Sequence, residues 1–200
     1  MSNNNVNDFV LTEEQKKANK ELIIKLLQDT QRNGIDRLIA WLEQSDFFEA
    51  PASTKYHLHC KGGLARHSLN VYDRLKAKVD SGLLSLKDDT IIITALLHDV
   101  CKANFYAVQK RNRKIDGQWQ EVEEWGIDEK LPIGHGDKSC YIVQNFLRIS
   151  PEEYAMIRFH MGRESESFND YFSKAAAVFP GVAAIHTADL ESAFIVESRM

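Results

Sequence analysis

Apolar positions along this chain repeat mostly with a helical period. Between Thr12 and about Gln31, Leu22, Ile23, Leu26 and Leu27 form a stripe among Lys, Glu and Gln. That stripe predicts an amphipathic helix with Thr12 as its cap. From about Gly34 to Ser45, a second stripe of Ile35, Leu38, Ile39, Trp41 and Leu42 predicts another helix. The stretch Asp46 to Lys61 carries Pro51, small residues and two histidines. It reads as an ordered loop, with Phe47, Phe48 and Tyr56 expected to be buried. Gly62-Gly63 then opens a helix to about Val79, whose inward face carries Leu64, His67, Val71, Leu75 and Val79.

Asp89 to Val100 is apolar nearly all round, which predicts a central, buried helix ending in His98-Asp99. The period changes between Phe105 and Trp125, where alternation, aromatic residues and the turn Asp116-Gly117 predict a β-hairpin projecting from the helices. Helices resume from about His135 to Arg148. Ser150-Pro151-Glu152-Glu153 has the cap, first-turn proline and early acids of a helix start, and that helix is expected to end near His160. Phe168 to Phe179 reads as helical. Pro180 begins a last helix through about Ser198, with Val182, Ile185, Asp189, Ala193 and Val196 on one face. The expected fold is all-α, a mainly helical bundle with a small β-hairpin insertion at about 104–126. Residues 11–200 would form one domain after a disordered start over 1–10.

Composition agrees with a soluble globular chain: 200 residues, 44% hydrophobic and 27% charged. A net charge of -4 does not suggest a chain that coats nucleic acid. Cys60, Cys101 and Cys140 form no CxxC pair, which favours a reducing compartment. No apolar run approaches the roughly 20 residues that cross a bilayer, and Met1 to Asp8 lacks the basic and apolar regions of a signal peptide. A cytoplasmic location without membrane attachment is expected.

A lone histidine on an apolar helix face is usually a core residue with a satisfied hydrogen bond. In this chain the placement recurs. His67, His135, His160 and Asp189 each fall on the inward stripe, or at the inward end, of a separate expected helix, and His98-Asp99 ends the most buried one. Buried carboxylates are rare unless paired. Asp99 also stands at a helix C-terminus, where the macrodipole disfavours an anion, and no Arg neighbours it in sequence. A bound cation would offset both penalties. Converging helices with imidazoles and carboxylates can form a metal cage, and Asp99 is the natural bridge between two ions. Mixed imidazole and carboxylate donors suit Mn, Fe, Co, Ni or Zn better than Mg. No thiolate ligand is evident.

The ordered set His67, His98-Asp99, Asp189 resembles the HD-domain superfamily of metal-dependent phosphohydrolases. The further His135 and His160 are similar to its six-ligand, two-metal branch. Local wording agrees: GGLARHSLNVY around His67, ALLHDVCK around His98-Asp99, GHGDKS around His135, IRFHMG around His160 and IHTADLES around Asp189. The resemblance covers about Tyr56 to Met200. It implies an HD-domain bundle holding two divalent transition-metal ions. One would be held by His67, His98, Asp99 and Asp189, the other by Asp99, His135 and His160. It also implies hydrolysis of a phosphomonoester or phosphodiester by a metal-activated water, with no side-chain nucleophile. A nucleotide or short oligonucleotide is the expected substrate class.

Around those residues, Lys102 is expected to contact the phosphate or to support Asp99 in catalysis. Lys138, Arg66 and Arg163 are further candidates for phosphate contact. His57 and His59 could line the entrance or donate a proton to the leaving group, with at least one of them read as a loop histidine without such a role. His186, one turn before Asp189, reads as a core residue rather than a group orienting that ligand, and Cys60 and Cys101 read as small packing residues. Lys110, Arg111, Arg113 and Lys114 on the hairpin, with Tyr106, Trp119 and Trp125, could engage a nucleotide or single-stranded nucleic acid. A solvated hairpin tip whose charges prevent edge pairing is the favoured reading. The same six ligands also occur in HD-type mixed-valent di-iron oxygenases, and a non-catalytic nucleotide-binding HD module is a third alternative.

Overall fold

The computed structural model describes residues 10–115, 117–162 and 170–199. The start expected to be disordered lies outside the described residues apart from Val10. So do Asp116 of the hairpin turn, Arg163, and Phe168, where the seventh helix was expected to begin.

Eight α-helices and one antiparallel hairpin make up the described fold: α1 (Glu13–Asp29), α2 (Ile35–Gln44), α3 (Gly63–Asp80), α4 (Asp88–Leu97), β1 (Tyr106–Ile115), β2 (Gln118–Ile127), α5 (His135–Gln144), α6 (Pro151–Arg158), α7 (Tyr171–Val178) and α8 (Gly181–Glu191). Two helix starts are set by capping boxes, Thr12 with Gln15 and Ser150 with Glu153.

The even apolar coat of α4 is explained by its position between two cores. Ile92, Ile93, Leu96 and Leu97 belong to one core with residues of α1, α2, α3 and α5, and Ile91 and Ala95 to another with Val71, Leu75, Met156 and Ile185. Each such aliphatic side chain contributes about 1.5–3 kcal/mol on burial. The end of α4, and with it His98-Asp99, is thereby fixed at the centre of the molecule. Glycines help place two ligand candidates. Gly62, at φ +78°, turns the chain into α3 five residues before His67. A Cβ on Gly136 would overlap the backbone carbonyl of Arg158, so glycine lets α5 approach α6 closely and brings His135 towards His160.

Four expectations are corrected. Tyr56 is 82% exposed. Phe47, Phe48, Ala50, Ala52 and Leu58 are the buried residues around its loop, and Tyr56 is held there by its backbone, the N–H bonded to Ser53 Oγ and the carbonyl 3.3 Å from His59 Nδ1. The helix from His135 ends at Gln144, not Arg148, and the chain turns while keeping Leu147 buried. The strand pairing runs on to Ile127 opposite Tyr106. The last helix is not continuously α-helical to Ser198: a π turn occupies Ser192–Val196, followed by a 3-10 turn over Glu197–Arg199.

Outside the central cluster, Arg32 binds the fully buried Glu153 and also Asp89, by a 2.9 Å bond from Nη2 to Asp89 Oδ2. Glu153 also accepts from Thr90 Oγ1 at 3.1 Å and from the Ser150 N–H at 2.8 Å. Removing Arg32 leaves a buried carboxylate short of its cation. Arg32→Ala is expected to lower unfolding free energy by about 3 kcal/mol in urea titration. A change under about 0.5 kcal/mol would show the pair to be energetically idle.

Candidate metal centre

Six side chains from five parts of the chain meet at the end of α4. His67 comes from the first third of α3, His98 and Asp99 from the end of α4, and His135 from the first turn of α5. His160 follows α6 and Asp189 lies on α8. His67, His98 and His160 are fully buried and Asp99 nearly so. His67 Nε2 is 3.1 Å from Asp189 Oδ1 and 3.8 Å from Asp99 Oδ2, and His98 Nε2 is 3.5 Å from Asp99 Oδ2. His160 Nε2 lies 3.4 Å from Asp99 Oδ1.

The tautomers are set by the partners of the other ring nitrogens. His98 Nδ1–H donates to the Ala95 carbonyl at 2.8 Å, and His160 Nδ1–H to the Ile157 carbonyl at 2.7 Å. Carbonyl oxygens only accept, so in the neutral form each ring turns its Nε2 lone pair towards the carboxylates; burial would lower His160, but Asp99 outweighs it and lifts that ring above the usual histidine value. The Nε2 atoms of His67 and His98 face one another at 3.3 Å. Asp99 Oδ1 and His160 Nε2 are buried without a hydrogen-bond partner among the described residues. Acceptors that face acceptors in a dry interior need a proton or a cation between them. A bound metal ion fits that need, and the imidazole and carboxylate donors could hold one.

The groupings differ in detail from those expected. Donor atoms lie within 4.8 Å of one another in His67, His98 and Asp189, in His98, Asp99 and His160, and in Asp99, Cys101 and His135. Asp99 belongs to two of these sets, as a bridging carboxylate would. His160 groups with His98 rather than with His135. Cys101 is more than a packing residue, because its Sγ is 3.3 Å from His135 Nδ1. Burial pushes its thiol up to about 12, so it is a neutral thiol beside the imidazole.

Electrostatics follow from this crowding. Burial alone would raise Asp99, but Lys102, His98 and His160 outweigh it and hold the carboxyl well below the usual range. Lys102 Nζ is 2.6 Å from Asp99 Oδ2 and 2.8 Å from the Ala52 carbonyl. Lys102, one turn onward, is therefore the cation beside Asp99. Burial lowers His98 to about 4 and keeps it neutral. His67 is pushed down by burial but lifted to about 10 by the carboxylates of Asp189 and Glu197.

The other candidates are dispersed. His57 lies against the centre, its ring 4.9 Å from that of His67, and burial lowers it to about 4. His59 is half-buried, with Nδ1 3.3 Å from the Tyr56 carbonyl. Lys138 is turned to Glu129 at 2.7 Å and lies over the Phe105 ring. Arg66 is half-buried on α3. His186 Nδ1–H donates to the His160 carbonyl at 2.7 Å, so it braces the backbone of a ligand candidate from α8. On the hairpin, Lys110 pairs with Glu121, and Arg111 and Arg113 pair with Glu124. Much of the basic charge of β1 is thus matched by β2, as expected for a solvated hairpin.

One buried acid escaped the sequence reading. Glu197 accepts from His67 Nδ1–H and from Asn70 Nδ2, both at 2.9 Å. On an unbroken helix it would lie about 80° from Asp189. The π turn acts as a one-residue insertion and brings it within about 20° of that face. No sequence signal marked that turn.

Compared with family models, curated proteins and solved structures, the chain matches none. No helix among the described residues is long and apolar enough to cross a membrane.

If the cluster holds metal in the folded state only, added Mn²⁺ or Zn²⁺ at about 100 times its Kd should stabilise the fold by about 2.7 kcal/mol. The readout is the thermal midpoint of chelator-treated protein, with reversal by a chelator. A midpoint that does not respond to any of the transition metals would contradict metal binding here.

Proposed function

We propose that this chain is a metal-dependent phosphohydrolase of the HD type, acting on a phosphate ester of a nucleotide or short oligonucleotide. The observation that carries the reading is the convergence of His67, His98 and His160 Nε2 atoms on Asp99 and Asp189, with Asp99 Oδ1 and His160 Nε2 left without hydrogen bonds. The ordered motifs GGLARHS, ALLHDVCK, GHGDKS, IRFHMG and IHTADLES support the HD assignment.

Together, His67, His98, Asp99, His135, His160 and Asp189 would hold two divalent ions. When bound, such ions supply Lewis acidity and a water acidic enough to attack phosphorus near neutral pH. The protein's part is orientation and charge. Ala95 and Ile157 carbonyls hold the His98 and His160 rings in the ligating tautomer. Lys102 offsets the charge of Asp99 and spends two of its three N–H donors on Asp99 and Ala52. The third is available to a phosphate oxygen. His57, kept neutral by burial beside His67, can accept or relay a proton at the edge of the site.

The test is a panel of mononucleotides, cyclic nucleotides, dinucleotides, dinucleoside polyphosphates and single-stranded oligonucleotides, offered to metal-reconstituted protein. Metal-dependent P–O cleavage is expected, falling about 10³-fold in Asp99→Ala and about 10²-fold in Lys102→Met. Full activity in the double variant H98A/D99A would sink the proposal. Oxygen consumption with a small organic substrate would move the reading to an HD-type oxygenase. Tight nucleotide binding without turnover would move it to a binding module.

A further inference from the structure

Three buried histidines present Nε2 to the centre, but their opposite nitrogens are held differently. His98 and His160 donate to neutral carbonyls three residues back on their own helices. His67 instead donates to the Glu197 carboxylate, brought from the far end of the chain. Glu197 has no exposed side-chain surface, and Asn70, one turn after His67 on α3, secures the same oxygen. Its second oxygen, Oε2, is buried without a hydrogen-bond partner among the described residues and lies 3.9 Å from His57 Nε2.

A buried carboxylate is costly to retain unless a cationic or strongly polarised donor faces it. An imidazole N–H becomes such a donor when its other nitrogen binds a cation. The interaction is reciprocal: the anion raises the donor strength of the ring and fixes its angle. The π turn over Ser192–Val196 brings Glu197 to this position, and the Glu197 N–H bonds the Ser192 carbonyl across it. π turns of this kind often occur at functional sites.

We infer that Glu197 is a positioning residue for His67, and that the subsite of His67, His98 and Asp189 therefore holds the more tightly bound of two ions. The inference rests on the metal-centre reading above. It concerns binding order and affinity, which that reading leaves open.

The test is titration of chelator-treated protein with Mn²⁺ or Zn²⁺ against a chromophoric chelator, for wild type, E197A, E197Q and H67A. Wild type should show a tight and a weaker step. H67A should abolish the tight step. E197A should weaken it by 10–100-fold and leave the weaker step within about threefold. E197Q keeps an oxygen for the His67 N–H without the charge, so it should fall between E197A and wild type. Apo-protein thermal midpoints separate this from a merely structural role, which would lower the midpoint and leave the affinities alone. Should E197A fail to fold, the isosteric E197Q carries the comparison. A tight step unchanged in both Glu197 variants, or both steps weakened equally, would overturn the positioning role while the metal centre stands. Wild type that binds neither ion would overturn the metal centre itself, and this inference with it.

Discussion

The structure depends on keeping one carboxylate, Asp99, ionised inside a hydrophobic bundle. It follows the most apolar helix of the chain, at the end where the helix dipole repels an anion. Lys102, the surrounding imidazoles and Asp189 on the facing helix are arranged about that charge. The remaining mismatch, Asp99 Oδ1 and His160 Nε2 buried without hydrogen bonds, is what a divalent cation would relieve.

The fold provides this arrangement through ordinary means. Aliphatic residues on both sides of α4 hold it centrally between two cores. Glycine at 136 admits the close approach of α5 to α6, and backbone carbonyls of α4 and α6 fix two imidazole tautomers. His186 adds a brace from α8 to the His160 carbonyl. Each ligand candidate is thus held by a rigid helix or its immediate end, which limits the movement needed when a cation binds.

Much of this was legible because α-helical periodicity is regular. Counting turns along α3, α4, α6 and α8 put His67, His98-Asp99, His160 and Asp189 on inward faces, and the hairpin was evident from its change of period. The failures have equally specific causes. Glu197 was missed because a π turn breaks the count after Glu191. Tyr56 looked like a core residue by type, but nearby residues had already filled the space beneath its loop. The proximity of Cys101 to His135 is a tertiary contact between a 3-10 turn and α5, with no periodic trace. The basic run on β1 concealed its neutralisation, since strand register and not sequence distance brings Glu124, opposite Gln109, within reach of Arg111 and Arg113.

The central claim is that imidazole and carboxylate donors at the end of α4 bind divalent metal. X-ray absorption spectroscopy on the reconstituted protein at the edge of the bound metal tests it most directly. The account predicts a coordination shell of nitrogen and oxygen only, with the outer-shell scattering of several imidazoles, lost when Asp99 and His98 are both replaced by alanine. A sulfur scatterer from Cys101, or a spectrum showing only a hydrated ion, would contradict it.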